Sequence, residues 1–159
     1  ATPWHQDGQY WPIRPLATCT VWLAVDDANE KNGCLKFIKG SHRDKNLKQH
    51  EFNEDKNLTL HQELLKSEFN EKESVNLILK RGQISLHDVY LVHGSDANLS
   101  SKSRRGMTMR FMPTTSVFDH NLAKEKYNNL NVSKYSNRKI YLARGHDKSK
   151  RNNLEVVNF

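Results

Sequence analysis

The sequence predicts an all-β sandwich or barrel built from short strands with few helices. Two stretches, 17–26 and 104–112, alternate between two side-chain classes at a period of two, the signature of strands. Glycine, proline and asparagine cut the chain between such stretches, as at Pro12, Pro15, Asn32-Gly33, Gly40, Gly82 and Pro113. No internal repeat and no low-complexity tract suggests another architecture.

The first run, Thr2-Pro3-Trp4-His5-Gln6-Asp7, reads as a strand, and Gln9–Pro15 follows as a loop or irregular edge. Ala17–Asp26 is a strand with Thr18, Thr20, Trp22 and Ala24 on one face and Cys19, Val21, Leu23 and Val25 on the other. The second set is the expected core face, and the mixed first set suits the inside of a ligand-holding barrel. Asp26 to Gly33 is a turn in which the paired aspartates serve as turn or cap residues. Cys34–Ile38 is the returning strand, closed by Lys39-Gly40-Ser41-His42. Residues 43–74 form a polar excursion, with Leu58–Phe69 either a short helix or an irregular strand, and His50 and His61 as surface or packing residues. Val75–Leu79 and Ile84–His93 are strands around Lys80-Arg81-Gly82. Arg104–Met112 places Arg104, Gly106, Thr108 and Arg110 inward and Arg105, Met107, Met109 and Phe111 on the core side. Residues 114–137 read as loop with little helix, and Ile140–Ala143 as a short last strand.

With 159 residues the chain is expected to form one domain, 1–159, with a real core. It carries no signal-peptide pattern and no apolar run long enough to span a membrane. Its two cysteines, Cys19 and Cys34, make no disulfide framework, which fits the cytoplasm. A net charge of +7 invites an anionic partner, but the lysines are scattered among asparagines. Without a basic stripe interleaved with stacking aromatics, neither nucleic acid nor a membrane is an expected partner.

The chemistry concentrates in a few residues. His5 and Asp7 sit two apart in an extended run, so both project to one side. An imidazole and a carboxylate on one side are two-thirds of the facial triad that suits non-haem Fe(II) and leaves coordination positions open. A candidate ligand at position 5 lies where a chain end frays, so the N-terminal part of the domain is expected to lie outside this sequence. The third ligand is one of two histidines. His87 and His93 are six apart, roughly 20 Å along a straight strand at about 3.3 Å per residue, too far to share a metal. If 84–93 and 104–112 pair as a hairpin, His93 faces Arg104 and His87 faces Arg110, which makes two candidate sites. His93 has the better surroundings, because Gly94-Ser95 puts an open backbone and a hydroxyl beside it. An arginine there can clamp the far end of a metal-chelating dicarboxylate with its planar fork. Trp11, Arg14 and Arg110 are the candidates for substrate contact.

Trp4-His5-Gln6-Asp7, Trp22, Asn32-Gly33-Cys34-Leu35, Gly40-Ser41-His42, His93-Gly94-Ser95, Asn98 and Arg104 together resemble the phytanoyl-CoA dioxygenase family of Fe(II)- and 2-oxoglutarate-dependent oxygenases. The resemblance runs over about residues 2–113, with a weaker echo at Leu142–Gly145. It implies a double-stranded β-helix, a cupin-like jelly roll. It implies His5, Asp7 and His93 as iron ligands, Arg104 on the side carboxylate of 2-oxoglutarate, and Trp22 and Ser95 lining that cosubstrate. The implied reaction consumes O2, releases succinate and CO2, and hydroxylates an unactivated C–H of a small organic molecule. Halogenating relatives carry a small non-ligating residue where Asp7 stands, so its carboxylate implies hydroxylation. A cupin-like metal-binding isomerase or sugar-binding module is the alternative, as is a folded but inactive binding scaffold, and strict dependence on 2-oxoglutarate separates oxygenase from cupin.

Overall fold

The computed structural model describes residues 1–130 and 134–156. In chain order the strands are β1 (Thr2–His5), β2 (Ile13–Arg14), β3 (Cys19–Ala24), β4 (Leu35–Ile38), β5 (His50–Phe52), β6 (Gln62–Leu64), β7 (Ser74–Leu77), β8 (Ile84–Asp88), β9 (His93–Ser95), β10 (Gly106–Phe111) and β11 (Val117–Phe118). The helix α1 (His120–Leu130) and the strands β12 (Ile140–Tyr141) and β13 (Leu154–Glu155) follow.

Two antiparallel sheets face one another. One has four strands in the order β1-β9-β4-β7, the other three in the order β10-β3-β8. This is the two-sheet jelly roll of a double-stranded β-helix, with open edges rather than a closed barrel. Between the sheets Trp22, Ala24, Ala28 and Cys34 form one apolar cluster. Trp4, Ile38, Leu64 and Val92 form a second one beneath the four-stranded sheet. Tyr10, Trp11, Ile13, Phe118 and Ala123 form a third one toward the C-terminal segment. Asn32 and Gly33 turn the chain between the sheets as their residue types demand: Asn32 Nδ2 donates to Asp27 O over 2.7 Å, and Gly33 sits at φ 73°.

Four expectations need correction. First, β8 and β10 are not a hairpin. Both pair with β3, and Thr20 stands between Arg110 on one side and His87 on the other. His93 pairs instead with His5 and Phe37, so it never faces Arg104 across a ladder. Second, the run 84–93 is two strands in two sheets. Asp88 breaks it: its Oδ1 accepts the Tyr90 N–H at 2.9 Å and its carbonyl accepts the Leu91 N–H at 3.1 Å. Third, the apolar face of β3 and its neighbours is not core. Leu86 is 64% exposed, Ile84 52% and Met107 47%, because the polar face is the one turned toward the other sheet. Fourth, α1 occupies a stretch read as loop; Asp119 Oδ1 caps it by accepting the Asn121 and Leu122 N–H groups. The undecided stretch 58–69 contains β6, which pairs with β5, followed by a 3-10 turn at Lys66–Glu68.

Gly106, although exposed, lies close against the Trp22 ring. A Cβ there would lie 2.3 Å from Cζ2 of Trp22. Gly106→Ala should therefore lower stability by about 1–3 kcal/mol through overpacking. Urea denaturation checks this, and an unchanged midpoint would remove the close approach of Trp22 to this strand.

Candidate metal centre

Extended backbone through Gln6 (φ −114°, ψ 133°) carries the alternation of β1 on to Asp7, which opens a short 3-10 turn. His5 and Asp7 therefore emerge on one side, as the spacing requires. His93 opens β9, which lies directly beside β1 with His5 and His93 as register partners. The imidazole centroids of these two are 4.2 Å apart. One ligand atom from each of His5, Asp7 and His93 lies within 4.8 Å of the others, and all three residues are buried.

The hydrogen bonds set which atoms are free. Nδ1 of His5 is 2.8 Å from Pro3 O, and Nδ1 of His93 is 2.8 Å from Leu91 O. A carbonyl oxygen only accepts, so each Nδ1 carries the proton and each Nε2 keeps its lone pair. Burial pushes the His5 imidazole down to about 3, helped by neighbouring His93, and burial likewise lowers His93. Both rings are thus neutral at neutral pH, the form that ligates a metal. Burial works against ionisation of Asp7, but contact with His87 and the nearby Arg110 guanidinium outweigh it and hold the carboxyl well below its usual range.

The two oxygens of Asp7 have different surroundings. Oδ1 lies 3.9 Å from Nε2 of His5, on the side of the histidines. Oδ2 accepts from Thr20 Oγ1 at 2.9 Å and from Arg110 Nη2 at 2.6 Å, and His87 Nε2 stands 3.6 Å away. Arg110 Nε also donates to Thr20 Oγ1 at 3.0 Å, and its guanidinium lies 4.2 Å over the Trp11 ring. Arg110, Thr20 and His87 form one row across β10-β3-β8. That row approaches Asp7 from the opposite sheet.

Thr20 and His87 are the residues that the sequence reading did not bring here. His87 was set apart from the metal on a straight-strand distance. The turn after Asp88 reverses the chain, so the His87 and His93 rings are 4.8 Å apart. Arg110, too, is at the site rather than beyond it. The available signal was alternation within Ile84–Asp88, which puts Ser85 and His87 on the inner face with Thr20 and Trp22.

Trp22, Ser95 and Arg104 come together beside the triad. Arg104 Nη2 reaches Ser95 Oγ at 3.5 Å, and its guanidinium lies 6.0 Å over the Trp22 ring. Its Nε is buried without a hydrogen-bond partner among the described residues. A buried, unsatisfied guanidinium donor fits a carboxylate that arrives with a ligand. Of the three residues expected to meet substrate, Trp11 and Arg110 line a cleft of about 780 Å³, and the cleft lining does not include Arg14. Arg14 is exposed in β2 and donates to Ile13 O at 2.7 Å.

Known proteins are similar to this chain in sequence and fold. A family model described as phytanoyl-CoA dioxygenase (PhyH) matches residues 1–106. A phytanoyl-CoA dioxygenase domain-containing protein 1 homolog from Dictyostelium discoideum is 33% identical over 112 residues, covering 68% of this chain and 39% of its own. The chain thus spans about two-fifths of the length of the curated relatives it matches. Among solved structures, EvdO2 from Micromonospora carbonacea var. aurantiaca, complexed with 2-oxoglutarate, has a TM-score of 0.60 at 26% identity, covering 70% of this chain and 44% of that one. The epimerase SnoN, in complex with Fe3+, alpha ketoglutarate and nogalamycin RO, has a TM-score of 0.56 at 22% identity over 74% of this chain and 44% of its own, a likeness of fold. No described helix is long and apolar enough to cross a membrane. With a family model covering two-thirds of its length, this chain belongs to the phytanoyl-CoA dioxygenase family.

Proposed function

We propose that the chain carries the centre of an Fe(II)- and 2-oxoglutarate-dependent dioxygenase that hydroxylates a C–H bond of a small organic molecule, consuming O2 and releasing succinate and CO2. The carrying observation is the convergence of two buried, neutral imidazole Nε2 lone pairs with one oxygen of a buried carboxylate, within 4.8 Å. This donor set fits Fe(II) better than a structural zinc site, which would close with a fourth protein ligand. EvdO2, at 26% identity, is complexed with 2-oxoglutarate, which supports the same cosubstrate here.

His5, Asp7 and His93 hold the metal in this reading. Thr20 and Arg110 are positioning residues: by occupying Oδ2 of Asp7 they leave Oδ1 alone to ligate, so the carboxylate takes one coordination position and not two. His87, with Nε2 3.6 Å from Oδ2, stands on the same side of the carboxylate. Arg104 binds the far carboxylate of 2-oxoglutarate through its fork, with Ser95 and the Trp22 face bounding the same pocket. When bound, the iron and its cosubstrate supply the oxidation, coupling decarboxylation of 2-oxoglutarate to attack on a nearby C–H. The protein's part is to orient both molecules and keep the site dry. Unpaired Cys19 and Cys34 support a reducing compartment such as the cytoplasm.

The test is stoichiometric succinate formation with Fe(II), 2-oxoglutarate and a library of small organic molecules. Succinate that depends on both iron and 2-oxoglutarate, and increases with one library member, is the expected result. Metal binding without any dependence on 2-oxoglutarate would favour the metal-binding isomerase or sugar-binding reading instead.

A further inference from the structure

We infer that the cleft beside the metal centre receives an organic anion, a molecule with a carboxylate or phosphate on an apolar body, and that Arg138 and Arg144 recognise its charge. That this molecule is a substrate rests on the oxygenase reading; its binding does not. The cleft, about 780 Å³, runs from Arg110 on β10 to the segment around β12. Its inner end touches the metal centre, because Arg110 both lines it and donates to Asp7 at 2.6 Å. An anion seated there is therefore one side chain from the triad.

The charges in the wall are unequal in availability. Arg110 is already neutralised by Asp7. Lys139 pairs with Glu155 at 3.3 Å. Asp147, the acidic residue in the wall, is folded into its own turn and accepts from both the N–H and the hydroxyl of Ser149 and from Asn152. Arg138 and Arg144 have no carboxylate partner within 4.0 Å among the described residues, and both line the cleft. Arg138 is moreover held in place: its guanidinium lies 5.2 Å over Trp11 and 4.9 Å over Tyr135, rings that stack on each other at 4.9 Å and 13°. These two contacts anchor the guanidinium, and none of its N–H groups donates to another described residue. A preoriented fork without a partner, above an apolar floor of Ile13, Phe118 and Ile140, matches an anion carrying an apolar body.

Three probes test this by calorimetry or ligand-observed NMR: phenylacetate, phenyl phosphate and uncharged 2-phenylethanol, each with and without Fe(II) and 2-oxoglutarate. Both anions should bind at least about tenfold more tightly than the alcohol, as expected for one charge-assisted contact. Arg138→Gln with Arg144→Gln should remove that advantage and leave the alcohol unchanged, whereas Arg81→Gln with Lys56→Gln, an equal charge change in two exposed turns, should shift none of them more than twofold. The larger loss, for carboxylate or phosphate, names the head group. Equal binding of anions and alcohol, no binding of either anion, or anion binding indifferent to Arg138 and Arg144 but lost in Arg104→Lys, would overturn the inference. If the anions bind through Arg138 while the protein takes up no Fe(II), the oxygenase reading falls and this inference stands.

Discussion

Asp7→Ala should abolish stoichiometric Fe(II) binding and also destabilise the metal-free protein. Both effects come from one carboxylate with two tasks. Oδ1 faces the histidines as the anionic ligand, and Oδ2 neutralises Arg110 and satisfies the Thr20 hydroxyl. Removing the Asp7 side chain leaves Arg110, whose side chain is only 17% exposed, without its counter-charge. Breaking a buried pair from one side costs about 3–5 kcal/mol. Asp7→Asn separates the tasks. It keeps the shape and one acceptor, so the stability loss should be smaller, but a neutral amide is a poor replacement for an anionic ligand. Metal analysis after dialysis and urea denaturation of the metal-free proteins read the two effects. Wild-type iron content in Asp7→Ala would remove Asp7 from the ligand set, and unchanged stability would show that Arg110 does not depend on it.

Arg104→Lys should weaken 2-oxoglutarate binding at least about tenfold while leaving iron content intact. Lysine keeps the charge but replaces a planar two-point fork with a point donor on a flexible stem. It also alters the long cation–π contact with Trp22, 6.0 Å from the guanidinium. Arg104 makes no contact with Asp7, so the metal ligands should not notice the change. A titration with 2-oxoglutarate in the presence of metal measures this. Loss of iron together with 2-oxoglutarate would mean that Arg104 supports the triad rather than the cosubstrate.

The parts of this site that were legible in the sequence are local. His5 and Asp7 share a side because two residues of extended chain separate them, and no long-range information is needed. Trp22, Ser95 and Arg104 come from three separate strands or their ends, and only the family pattern tied them together. Thr20 was legible as an inward residue but not as a partner of Asp7, and His87 stayed hidden because 84–93 looks like one strand. Val89, Leu91 and Val92 carry the composition of a strand, yet Val89 and Val92 are fully buried in the turn that Asp88 caps. Composition reported burial there, not extension. The face of β3 misled in the opposite way. Apolar residues mark the core only on average, and here the polar face with Thr18, Thr20 and Trp22 is the buried one because it holds the site. The helix α1 buries only Ala123 among its described residues, with Leu130 packed on the same cluster, so its apolar stripe of Ala123, Tyr127 and Leu130 is short and set among lysine and asparagine.

The central claim is that His5, Asp7 and His93 hold one iron whose open positions, with Arg104, hold one 2-oxoglutarate. Equilibrium dialysis under anaerobic conditions against Fe(II) and radiolabelled 2-oxoglutarate measures both at once. The account predicts one of each per chain, with 2-oxoglutarate retained only when metal is present and neither retained in His93→Ala. Full retention of iron in His93→Ala, or binding of 2-oxoglutarate that is indifferent to metal, would contradict it.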